Sequence, residues 1–147
     1  MTRKLTTKTI EAFAGIGAAL AACDGVDQKE IAAFLLAAED LGIDEEVAEK
    51  ALDDHLAEIE ADPRRVDSLL RDSCEAVPAG HRRVAMELAV HMVMADHDLS
   101  AVEIWRLTAT RILLGISEEM LLMMVANEVS NDDAMKVSAA KDLDLLK

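Results

Sequence analysis

Apolar residues recur along the chain at the three- and four-residue intervals of a helix. Capping signals divide the pattern into eight segments, near residues 8–23, 27–40, 44–60, 64–76, 80–95, 100–113, 117–128 and 131–145. The fourth segment opens with Asp62-Pro63, read as an N-cap followed by a first-turn proline, and shows one apolar stripe of Val66, Leu69, Leu70, Ser73, Cys74 and Val77. The fifth, from Val84 to Ala95, is apolar almost all round except for Glu87 and His91, which predicts a place in the middle of the molecule. Phe13 to Cys23 in the first segment is equally free of charge.

The two halves of the chain can be laid over each other. Cys23-Asp24-Gly25-Val26-Asp27-Gln28-Lys29-Glu30-Ile31 matches Ala95-Asp96-His97-Asp98-Leu99-Ser100-Ala101-Val102-Glu103-Ile104, with one more residue in the second loop. Leu41-Gly42-Ile43-Asp44-Glu45-Glu46 then matches Leu114-Gly115-Ile116-Ser117-Glu118-Glu119 at a constant offset of 73. Capping physics accounts for most of this pattern. Asp27 and Ser100 are placed as N-caps, with Glu30 and Glu103 three residues on as capping-box partners. Val26 with Ile31, and Leu99 with Ile104, form hydrophobic staples. Asp44 and Ser117 cap the following helices, while Gly42 and Gly115 suit the left-handed position that ends a helix. The expected organisation is one domain over 1–147. Its parts are repeat one at about 8–60, a bridging helix at about 63–77, repeat two at about 79–128 and a C-terminal helix at about 131–145.

Composition agrees with an all-α bundle of seven or eight helices, built from two pseudo-repeated hairpins. The chain has 147 residues, 52% of them hydrophobic, with 25 alanines, six glycines, two prolines, two phenylalanines, one tryptophan and no tyrosine. Such a chain is too apolar for wholesale disorder and too poor in aromatics and turn residues for a sandwich or barrel. At this length folding removes about 70% of the unfolded surface from water, so no disulfide or structural metal is required.

The formal charge of −14 repels phosphate and anionic lipid, arguing against nucleic acid and for cations or basic proteins as partners. Eleven of the carboxylates lie between Glu39 and Asp62 against Lys50 alone, the pattern of a solvated helix face. Cys23 and Cys74 show no ligand spacing and read as reduced core residues of a cytoplasmic protein. Leu20-Ala21-Ala22-Cys23 is similar to a lipoprotein cleavage site, but Glu11 interrupts the approach and the run is rich in Ala and Gly rather than Leu. No segment reaches the roughly 18 apolar residues that span a bilayer.

With its two acidic loops, each followed by a Glu and a later Leu-Gly-Ile, the chain resembles the TerB-like tellurite-resistance family over roughly residues 10–128. The motif stands once as Asp24-Gly25 with Glu30 and again as Asp96-His97 with Glu103. The resemblance implies an all-helical fold of two related halves, a setting in tellurite or other chemical stress, and acidic motif residues that bind metal.

Asp24 and Asp96 carry the functional question, because a carboxylate at a helix C-terminus opposes the macrodipole by about 0.3–1 kcal/mol. Hydrogen bonds from the next helix, a bound cation or solvent are the available compensations. A site of Asp24, Glu30, Asp96 and Glu103 offers hard oxygens suited to Ca²⁺, Mg²⁺ or Mn²⁺, and His97 adds affinity for Zn²⁺. A single site requires the two aspartates within about 8 Å, and a separation beyond about 15 Å excludes it. An EF-hand is excluded, since Ala101 stands at the turn glycine and Leu107 at the bidentate glutamate.

No enzyme signature is present: there is no phosphate loop, nucleophile elbow, HExxH or di-iron Glu-x-x-His pair. The alternative to a metal-binding module is a non-enzymatic scaffold whose acidic helix and Met-rich helices dock a basic protein surface or other stress-system proteins. Arg83, Glu87 and His91 are spaced as an ion-pair ladder, Met120 to Val125 as core, and Trp105 as either core or an interface anchor.

Overall fold

The computed structural model describes residues 5–22, 28–96 and 100–130, with Asp96 defined by its backbone alone. Within these residues the chain is all-helical, with seven α-helices: α1 (Thr7–Ala21), α2 (Gln28–Asp40), α3 (Glu45–Ala61), α4 (Arg65–Ala76), α5 (Arg82–Val93), α6 (Ala101–Leu114) and α7 (Glu118–Ser130). Single 3₁₀ turns at Ala79–His81 and Met94–Asp96 flank α5, so this helix is shorter at both ends than the apolar pattern implies. The C-terminal helix expected at 131–145 lies outside the described residues.

Helix α1 is the hub. Every residue from Ala12 to Ala21 is buried, and the helix packs against α2, α3, α4 and α5. Its small side chains permit this. A Cβ added at Gly15 would collide with the Ser73 hydroxyl of α4, and one at Gly17 would stand 2.9 Å from the Phe34 ring of α2. The neighbours occupy the space that a methyl group would fill. Helix α5 is buried along Ala85, Met86, Leu88, Ala89, Val90, Met92 and Val93, which gives it the central place expected of it.

Local signals act as the sequence implies at several ends. Gly42 (φ 80°) and Gly115 (φ 71°) adopt the left-handed conformation. Ile43 N–H then donates to Ala38 O at 2.9 Å and Ile116 N–H to Arg111 O at 2.8 Å, the long bonds of two Schellman motifs. Asp44 accepts from the amides of Glu46 and Val47, and Ser117 Oγ from Met120 N–H. These motifs recur in both halves, but the packing around them differs: α1 leans chiefly on α3 and α4, α5 on α2 and α6.

The start of α4 departs from the expectation. Asp62 is extended and its carboxylate accepts from Arg64 N–H, while Arg65 N–H bonds back to Asp62 O. These three-residue bonds make a turn over Pro63 and Arg64, and the α-helix begins only at Arg65. Farther on, the Arg82 guanidinium donates to Val77 O at 3.5 Å and to Leu114 O at 3.4 Å, bringing a cation to the C-terminal ends of α4 and α6. Cys74 is fully buried, and burial pushes its thiol up to about 12. Cys23 lies outside the described residues.

Two predictions follow from this packing. Gly15→Ala gains about 1 kcal/mol of helix propensity but forces Ser73 and α4 away, and overpacking of this kind costs about 1–3 kcal/mol. A net loss is expected in urea denaturation, partly restored by adding Ser73→Ala. Cys74 should stay unmodified by iodoacetamide at pH 8 until the protein unfolds, as read by peptide mass mapping, because the reactive thiolate is absent from the folded state. With its native value raised above the ordinary 9.0, Cys74 also favours folding at low pH, and this contribution fades as pH climbs from 9 towards 12.

Candidate functional site

Of the five residues proposed as metal ligands, Glu30 and Glu103 are fully described. Asp24 and His97 lie outside the described residues, as does the side chain of Asp96, whose backbone ends the 3₁₀ turn Met94–Asp96 packed against α2. The separation of the two aspartates therefore lies outside them too. Glu30 and Glu103 hold matching places in the first turns of α2 and α6, each only 6% exposed. Glu103 Oε1 accepts from Ser100 N–H at 3.1 Å and Ser100 Oγ accepts from Glu103 N–H at 3.2 Å, a complete capping box. One oxygen of this carboxylate is thus committed to the helix start. Among the described residues no group of three or more His, Cys, Asp and Glu side chains is arranged to hold a metal ion.

A second feature has more extent. Helices α2 and α7 flank α5, and three adjoining hollows run across α5 between them. The first, of about 360 Å³, is lined by Leu5, Leu41, His81 and Val84 with Glu39 and Asp40 at its edge. It shares Asp40, Leu41 and Val84 with a second hollow of about 240 Å³, walled by Leu36, Leu88 and His91. That one shares Glu87 and Glu128 with a third of about 420 Å³, lined by Arg83, Val90, Met120, Met123, Met124 and Asn127. The three hollows thus adjoin through shared walls, apolar for the most part in the first two and mixed in the third, with carboxylates from α2, α5 and α7 among their walls.

The side chains at these hollows correct two expectations. Arg83 Nε pairs with Glu87 at 3.2 Å, but the ladder stops there, because His91 Nδ1 turns across to Glu128 of α7 at 3.3 Å. Helix α7 is only half core: Leu121 and Met124 are buried, whereas Leu122 (60%) and Met123 (67%) are exposed. A helix at the edge of a bundle buries one face, so a run of consecutive apolar residues must put some of them outside. Trp105 is not a core residue, standing 76% exposed on α6. The carboxylates from Glu39 to Glu60 are all exposed, as a solvated face requires.

One constellation escaped the sequence reading. His55 of α3 is largely buried between Glu11 of α1, 3.1 Å from Nε2, and Glu58, 3.8 Å from Nδ1, and Arg65 reaches Glu58 at 3.5 Å. The spacing of His55 and Glu58 on one helix was visible, but Glu11 and Arg65 come from other helices and no local signal joins them. These side chains bring α1, α3 and α4 together, with neither ring nitrogen of His55 making a hydrogen bond among the described residues.

No family model, curated protein or solved structure matches the chain.

The capping box gives a direct test of what Glu103 does. Ser100→Ala should lower stability by about 1 kcal/mol, seen as a drop of a few degrees in the thermal midpoint. Glu103→Gln, which keeps an acceptor oxygen, should lose less.

Proposed function

We propose that the chain is a non-enzymatic interaction module that receives a basic amphipathic helix of a partner protein in the groove over α5. The observation carrying this reading is the row of adjoining hollows, which presents Leu36, Leu41, Val84, Met120 and Met123 and is edged by Glu39 and Asp40, with Glu87 and Glu128 farther along in pairs with Arg83 and His91. Unbranched methionines adapt to varied apolar faces, and helix-in-groove docking uses an extended apolar channel of this kind. The carboxylate rim and the overall charge of −14 select a partner helix whose polar face carries Lys and Arg. Resemblance of the two acidic segments to TerB-like proteins supports a cytoplasmic setting among stress-response proteins.

Divalent-cation binding by Asp24, Glu30, Asp96, His97 and Glu103 is the second reading, favoured by the matched burial of Glu30 and Glu103. It ranks second because the Glu103 carboxylate already has a structural partner in Ser100.

Fluorescence anisotropy with a labelled Leu/Lys amphipathic helical peptide tests the first reading. Binding with Kd in the range of about 1–50 μM is expected, weakening steeply as salt rises. Leu36→Glu and Met123→Glu should each reduce affinity about tenfold, since each puts a charge on the apolar contact. Failure to bind, or equal affinity in both variants, overturns the groove. Calorimetric titration with Ca²⁺, Mg²⁺, Mn²⁺ and Zn²⁺ tests the second reading: stoichiometric heat lost on Asp24→Asn with Asp96→Asn would put the cation first.

A further inference from the structure

Helix α6 has two apolar faces. Leu107, Thr110 and Leu114 point into the core, while Val102 (47%), Trp105 (76%) and Ile112 (62%) are exposed, with Ala109 partly exposed between them. At about 100° per residue the latter four fall within an arc of roughly 80° on the opposite side of the helix. Their spacing of three, four and three residues is that of a coiled-coil seam. A hollow of about 390 Å³ lies on this stripe, lined by Val102, Trp105, Arg106 and Ala109 and closed on one side by Asp67 of α4.

We propose that this stripe is a two-fold interface for a second copy of this chain, with the two α6 helices antiparallel and each Trp105 entering the hollow beside the other copy's Ala109. The sequence of sizes identifies the occupant. Read in the reverse direction the spacing is unchanged, so about a two-fold axis Trp105 falls opposite Ala109 and Val102 opposite Ile112. The bulkiest residue meets the smallest, and the two intermediate ones meet each other. An isologous contact requires such self-complementarity, which an unrelated partner does not. Trp is also a favoured anchor at the centre of interfaces.

Electrostatics choose the same face. Two copies at −14 repel each other, and contact through α3 would set one carboxylate row against another. Helix α6 instead carries Arg106 and Arg111, with Glu103 buried at its start. Arg106 is paired with Asp67, so it meets the second copy already neutralised. The contact is apolar and the opposing force is long-range repulsion between like charges. Dimerisation therefore strengthens with salt, the reverse of peptide binding at the groove.

Sedimentation equilibrium on the full chain tests this directly, and the single tryptophan makes its emission a second probe. The expected result is a monomer–dimer equilibrium with Kd of about 1–100 μM, tightened by salt, with Trp emission shifting to the blue as dimer forms. Ala109→Glu should give a monomer with unchanged helical circular dichroism and a red-shifted Trp at every concentration. A wild type that stays monomeric at about 0.5 mM in high salt, with concentration-independent emission, overturns the proposal. So does a dimer that survives Ala109→Glu or dissociates as salt rises. The groove lies on other helices, so peptide binding by the Ala109→Glu monomer separates failure of this interface from failure of the groove.

Discussion

The bundle is built around missing bulk on one helix. Helix α1 has no large side chain at Gly15 or Gly17, and Ser73 of α4 and Phe34 of α2 stand where a Cβ would be. Four helices share this one neighbour, and α4 and α2 come closer to it than an alanine surface allows. The trade is unfavourable locally, since glycine inside a helix costs about 1 kcal/mol relative to alanine. Packing offsets it, because Phe34 is among the most deeply buried side chains of the molecule and closes over Gly17 beside Met92.

That hub sets what is left outside. With α3 and α4 drawn onto α1, the second half gathers on α5, which meets α2, α6 and α7. Helices α2 and α7 reach α5 from two sides, and the trough between them keeps Leu36, Met120 and Met123 near solvent. Helix α6 bridges α4 and α5 through its Leu107–Leu114 face, and its other face keeps Trp105 uncovered. Both apolar surfaces are consequences of a core that is satisfied without them.

Features with local causes were legible in the sequence. Gly42 and Gly115 end helices because only the residues beside them matter, and Ser100 with Glu103 closes a box within four positions. The burial of α5 was legible too, since a helix apolar on every side has nowhere else to go. What depends on neighbours was not. The backbone around Pro63 took a turn because Asp62 found an amide two residues on, and His91 chose Glu128 over Glu87 across a helix interface. Met123 read as core and Trp105 as either core or an interface anchor, since α6 and α7 each have a second apolar face and periodicity alone does not say which face meets the bundle. The Glu11–His55–Glu58–Arg65 network joins three helices and has no linear signature.

The strong negative charge and the exposed apolar stripes are parts of one arrangement. A small all-helical protein with two uncovered apolar surfaces would aggregate if those surfaces met at random. The carboxylates of α2 and α3 oppose most such encounters, because any approach through them adds like charge to like charge. Contacts that avoid the acidic faces feel this repulsion least, and contacts that bring cations to them reverse it. Helix α6 satisfies the first condition, having a single buried carboxylate and two arginines, and a basic helix in the groove satisfies the second. On the proposed reading, charge sorts the apolar surfaces by partner: like to like on α6, and opposite charge over α5. Neutralising the α3 carboxylates would then tighten the proposed α6 contact, which like-charge repulsion opposes, and weaken the proposed docking of a basic helix, so the two contacts should move in opposite directions.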